Sequence, residues 1–200
     1  MKSLHLSKPH LIVMVGIPGS GKSFFAEKFA ETFRAPCISE GRIIDLVPEV
    51  PDAAPFIASM QLGELLKTGQ TVVFDGSSAT RTARQDLAKQ ARATGYEPLL
   101  VWVQTDPATA ETRATRATKA STNRIVTPEE FDRALKRFTP PATTERPVVI
   151  SGKHTYASQA KMVLKRLSGP RAEISSHATP PVRPGQTEQR STTRRNISVR

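Results

Sequence analysis

Eight residues, GIPGSGKS at positions 16–23, combine three glycines, a lysine and two serines at a spacing suited to holding a chain of phosphates. They fit the pattern G-x-x-x-x-G-K-[ST] in full. Gly16, Gly19 and Gly21 let the backbone wrap so that its N–H groups face inward, toward negative oxygen. Pro18, Ser20 and Phe24 complete the expected nucleotide contacts. Lys22 is expected to reach the β- and γ-phosphates, and the Ser23 hydroxyl to hold Mg²⁺. Farther on, VVFD ends in Asp75, where a strand's carboxyl end meets a ligand in open α/β sheets. A carboxylate there can hold Mg²⁺ directly or through water, orient a substrate, or simply cap a turn. Arg113 and Arg116 stand three apart, with Lys119 and Arg124 beyond. On one helix face they would stabilise transition-state charge; the alternative is a solvated basic face.

Positioning these groups requires alternating strands and helices. Residues 10–15 (HLIVMV) are apolar throughout, as a strand buried on both faces of a parallel sheet should be. Phe25, Phe29 and Phe33 recur every four residues with Ala26 and Ala30 beside them, opposite Glu27, Lys28, Glu31 and Arg34. That pattern predicts an amphipathic helix whose aromatic stripe is core. Strands are expected at 36–39, 71–75, 99–104 and 147–151, and helices at about 56–68, 80–94 and 156–167. Prolines 48, 51 and 55 punctuate a loop, while Gly69 and Gly95 follow helices as left-handed caps. Asp106 and Thr127 are predicted N-caps, each followed by proline, and Glu130 makes a capping box with Thr127. The alternation implies a three-layer α/β sandwich: a five-stranded, mostly parallel sheet with helices on both faces and a small helical lid at about 107–138.

The 200 residues suit one domain, at 1–168, followed by a tail. From 169 the composition turns to Pro, Ser, Thr, Gln and Arg, which cannot bury enough surface to offset ordering entropy; disorder is expected at 169–200. The net charge is +11, from 29 basic and 18 acidic residues. Six arginines against two glutamates give the tail +4, which leaves the body at +7. Such an excess attracts nucleotides, nucleic acid or anionic surfaces. No apolar run is long enough to span a bilayer, and the first one leads into the phosphate loop rather than to a leader cleavage site. One cysteine, Cys37, rules out an internal disulfide and fits a reducing, cytoplasmic setting.

These residues together resemble the P-loop kinase group that contains polynucleotide 5′-kinases, zeta toxins and chloramphenicol phosphotransferase, over about 10–168. The group's second motif, D-A-T-N with an arginine nine residues past the aspartate, is similar to DGSSATRTAR, where Asp75 and Arg84 match and Ser77 and Ser78 replace Thr-Asn. Its lid pair R-x-x-R looks like Arg113 and Arg116, and RIVTPEEF (124–131) and RFTPP (137–141) resemble the lid's end. The resemblance implies an ATP- and Mg²⁺-dependent P-loop NTPase fold that transfers a phosphoryl group to a hydroxyl, with the lid arginines closing over the triphosphate.

One departure bears on the acceptor. The group carries S-x-D-x-x-R after its second strand, the aspartate taking the hydroxyl's proton and the arginine helping to hold the substrate. Here the chain reads ISEGRIID from Ile38: Ser39 fits, but Gly41 stands for the aspartate and Ile44 for the arginine. Glu40, one residue early, and Asp45, four late, are the candidate bases; Glu40 is preferred because its extra methylene offsets part of the displacement. The expected function is ATP-dependent transfer to a nucleic acid 5′-hydroxyl or a small nucleoside-like alcohol. The competing expectation is an ATP-binding or slowly hydrolysing module whose degenerate acceptor site recruits nucleic acid or protein. A motor-type ATPase fits poorly with so short a chain.

Overall fold

The structure, a computed structural model, describes residues 6–116 and 125–169. Lys119, Arg124 and the expected disordered tail from residue 170 onward lie outside the described residues, and all described residues fall within the unit Met1–Gly169.

Strand β1 (His10–Val15) forms the centre of the sheet, and from Leu11 to Val15 it is fully buried. Its side chains alternate between two cores. Ile12 and Met14 enter one, while Leu11, Val13 and Val15 enter the other. Around it stand β2 (Cys37–Ser39), β3 (Val72–Asp75), β4 (Glu97–Gln104) and β5 (Val148–Ser151), in the order β2-β3-β1-β4-β5. Every neighbouring pair is parallel, so "mostly parallel" becomes wholly parallel among these strands.

Helices α1 (Lys22–Phe33) and α7 (Tyr156–Leu167) cover one face. The stripe predicted for α1 is that core: Phe25, Phe29 and Phe33 stack along it with ring centroids 5.5 and 4.6 Å apart. Tyr156 joins from α7, its hydroxyl donating to Thr32 Oγ1 at 2.8 Å. The other face is covered by α2 (Glu40–Leu46), α3 (Ala54–Leu65) and α4 (Arg81–Ala93). Helices α5 (Pro107–Thr115) and α6 (Pro128–Arg137) form a third, smaller core with the phosphate-loop residue Ile17, through Ala110 and Phe131. The sheet with helices on both faces is a P-loop NTPase α/β fold.

The caps agree with their chemistry. Asp106 accepts from Thr109 N–H, and Thr127 and Glu130 exchange both bonds of a capping box. Gly69 and Gly95 take left-handed backbones at φ 71° and 84°. Two departures concern the segment after β2, expected to be a loop as far as residue 55. Ser39 ends its strand and caps α2, its Oγ accepting from Arg42 N–H, while Ile43 turns into the core. Pro48 then stops the helix, because the residue before a proline disfavours helical backbone. Helix α3 starts at Ala54, two residues before the expectation, with Pro55 inside its first turn, where a missing N–H costs nothing.

Arg84 is the largest fully buried side chain, 1 % exposed. Its Nε and Nη2 donate to both oxygens of Glu145 at 2.8 and 3.0 Å, and its Nη1 donates to the carbonyls of Ser78, Ala79 and Thr139. Glu145 also accepts from Ala142 N–H. The arginine thus ties the turn after β3 to the segment leading into β5. Deleting one partner of such a pair leaves a buried charge, so Glu145→Ala is expected to cost about 3 kcal/mol in chemical denaturation. The bonds from Arg84 hold the Glu145 carboxyl below its ordinary 4.5, helped by Ala142 N–H. Its stabilisation is therefore present above the unfolded carboxyl's titration and is lost as pH falls through the lower, folded value. Between about pH 6 and pH 3 the melting temperature should fall more for the wild type than for Glu145→Gln.

Candidate functional site

The loop 16–23 joins β1 to α1 at the carboxyl edge of the sheet. Its path depends on two glycines above all. Gly19, at φ 72°, lies so close under α5 that a Cβ would collide with the Ala110 carbonyl. Gly21, at φ 103°, is the N-cap of α1 and supplies no side-chain cap. The N–H groups and partial positive charge of the helix start are thus left facing the loop, the arrangement that binds phosphate. Ser20 Oγ, wholly buried and without a hydrogen-bond partner, packs inside the same loop against Gly16.

Lys22 Nζ donates to Ile17 O at 3.0 Å, across its own loop. Burial pushes the amine down from its ordinary range, and the negative charge of Asp75 pulls it partly back. Ser23 Oγ donates to Asp75 Oδ2 at 2.6 Å, which brings together the two residues expected to hold a metal. A hydroxyl and a carboxylate side by side, next to a phosphate cradle, are a donor set that fits Mg²⁺. Phe24 is on the first turn of α1 and is 57 % exposed.

Register brings a second carboxylate near. Ser39 and Asp75 are paired across β2 and β3, so the residue after Ser39 emerges beside the turn that follows Asp75. That residue is Glu40, the first of α2 rather than the last of a strand, because Ser39 caps the helix. Its Oε1 accepts from Ser77 N–H at 2.7 Å and its Oε2 from Ser77 Oγ at 2.9 Å. Burial raises the Glu40 carboxyl above 4.5; the two Ser77 bonds oppose this, and the charge of Asp75 adds to it. Asp45 lies exposed near the end of α2, about 7 Å farther along the helix axis. Of the two candidate bases, Glu40 is the one bonded to the turn that follows Asp75.

The lid arginines separate. Arg113 belongs to α5 and donates to Gly152 O at 3.2 Å, on the loop after β5. Arg116 is exposed in extended backbone just past the last turn, so the spacing of three does not place both on one helix face. Two residues that the sequence reading missed brace the cradle from behind. Thr105 Oγ1 donates to Ser20 O at 2.9 Å, and Gly152 packs so tightly that a Cβ would strike Thr105 Oγ1 and Ser20 O. Neither belongs to a local pattern; the only signal was that each follows the end of a strand. Beside Thr105 opens a cleft of about 530 Å³, lined by Asp106, Ser151, Lys153 and His154 among others.

Comparison with known proteins agrees with this fold. The family model described as "AAA domain" matches residues 11–141. A gluconokinase from Sinorhizobium meliloti 1021 superposes with a TM-score of 0.59 at 22 % identity, covering 80 % of this chain and 91 % of that one. Chaetomium thermophilum Kti12, solved with ADP-AlF3, gives 0.61 at 17 % over 80 % and 100 %. The Mycobacterium tuberculosis APS kinase CysC, solved with AMPPNP and APS, gives 0.58 at 15 % over 81 % and 99 %. Among curated proteins no sequence matches this chain. The family match spans well over half of the residues: the chain belongs to this AAA-domain family and has the fold of the P-loop kinase group.

Proposed function

We propose that the protein transfers the γ-phosphoryl group of ATP to the hydroxyl of a small alcohol. The observation that carries this is the convergence of three oxygen-bearing side chains at one edge: Ser23 bonded to Asp75, and Glu40 anchored on Ser77 beside them. The loop N–H groups and Lys22 bind the phosphates, Lys22 exchanging its bond to Ile17 O for phosphate oxygen. Ser23 and Asp75 would hold Mg²⁺, which when bound would neutralise phosphate charge. Glu40 takes the acceptor hydroxyl's proton as the oxygen attacks phosphorus. Arg113 and Arg116 bring positive charge to the leaving side, and the cleft beside Thr105 takes the nucleoside.

Charge favours a small alcohol over a nucleic acid end. The acceptor side, 40–65, carries Glu40, Asp45, Glu49, Asp52 and Glu64 against Arg42 alone, in a chain whose net charge is +11. A polyanionic strand needs lysines and arginines along its path, and this side repels it. A second reading has one observation in its favour: both oxygens of Glu40 already accept bonds from Ser77, as in a purely structural clamp. In that case the protein binds ATP, hydrolyses it slowly and recruits a partner.

The test follows γ-labelled ATP with Mg²⁺ and a panel of 5′-hydroxyl oligonucleotides and small neutral and amino alcohols. Label is expected on a small alcohol, and its appearance on oligonucleotides alone would refute the choice of acceptor. Transfer should fall about a hundredfold or more in Glu40→Gln and stay within about twofold in Asp45→Asn. Release of label only as phosphate, unchanged in Glu40→Gln, would favour the second reading. Lys22→Ala should lower any use of ATP by about a hundredfold or more. Full turnover in that variant would refute the nucleotide site itself.

A further inference from the structure

Gly76 sits between Asp75 and Ser77, and nothing in its backbone calls for glycine. Among the described residues the glycines with positive φ are 16, 19, 21, 69 and 95. What position 76 lacks is room. A Cβ there would lie 2.5 Å from Glu40 Oε1, 2.8 Å from its Cδ and 2.7 Å from Cζ of Phe74. Real Cβ atoms do not approach so closely, and the Phe74 ring is buried and packed against the sheet's second core. The Glu40 carboxylate therefore occupies the volume that any side chain at 76 would fill. Its walls are the Gly76 backbone and the Phe74 ring, and its anchors are Ser77 N–H and Oγ.

We propose that Gly76 is a positioning residue: its missing side chain is the socket that seats the Glu40 carboxylate beside Asp75 for phosphoryl transfer. This rests on the phosphotransferase reading above and explains how a carboxylate at 40 serves where the related pattern has one at 41. Two of the departures from that pattern, glutamate at 40 with glycine at 41 and glycine for alanine at 76, meet in this one contact. At Gly41 a Cβ would meet nothing nearer than Ser39 Oγ at 3.7 Å, so the carboxylate is not displaced for lack of space there. Ser77 completes the seat by donating twice to the same group.

Two readouts on the full chain test the proposal. The first needs no nucleotide: hydrogen exchange of the Ser77 amide, whose proton is held by Glu40. In Gly76→Ala its protection should fall about tenfold or more, and in Gly76→Ala with Glu40→Asp, one methylene shorter, it should largely return. The second is phosphoryl transfer to the acceptor found above, or to water. Gly76→Ala should lower kcat about as much as Glu40→Gln, with KM for ATP within about twofold, and should add no further loss in a Glu40→Gln background. Ser77→Ala, which removes only a hydroxyl, should give a smaller loss of kcat, and thermal unfolding verifies that each variant folds. Wild-type protection of the Ser77 amide in Gly76→Ala, an undiminished kcat, or fully additive losses would overturn the inference. If wild-type protein spends no ATP at all, the phosphotransferase reading fails by itself, while the exchange arm still decides whether Gly76 seats Glu40.

Discussion

A sheet whose strands all run the same way, with both faces buried, has only one edge at which its strands can end in company. Here β1, β2 and β3 deliver the phosphate loop, Ser39 with Glu40, and Asp75 to that edge. The side chains of the candidate site are there because the register leaves them nowhere else. The register itself follows from apolar strands that must interdigitate with helices on two sides. Packing and site geometry are in this sense one constraint: a slip of one residue in β3 would exchange Phe74 with Asp75 and lose both the core contact and the bond from Ser23.

Much of this was readable in the sequence. The phosphate loop is a local pattern whose spacing specifies its conformation, and the apolar strand and aromatic helix beside it have unmistakable periods. Caps at Asp106 and Thr127 act within four residues, so they too could be read directly. Helix α2 could not, because its seven residues are too short to show a period and prolines 48, 51 and 55 interrupt the chain just beyond it. Arg84 stood out by its distance from Asp75, yet its role depends on Glu145, far along the chain and visible only once the chain has folded. Thr105 and Gly152 belong to the same class: their importance lies in contact with Ser20, not in any neighbour in sequence.

The same limit explains the acceptor side. Offsets counted along the chain treated Glu40 as a strand residue turned the wrong way, whereas a serine cap converts that position into the start of a helix. A helix start redirects its side chain by a rotation that strand alternation does not contain. The charge of the whole chain likewise does not show how that charge is distributed. The excess of lysine and arginine lies elsewhere, while 40–65 is acidic.

The phosphate loop is bonded to itself through Lys22 and Ile17 O, and to β3 through Ser23 and Asp75. A phosphate held there would exchange those partners rather than create bonds from nothing, so the net gain per contact would be small. A cradle built in this way would trade some grip for easy emptying.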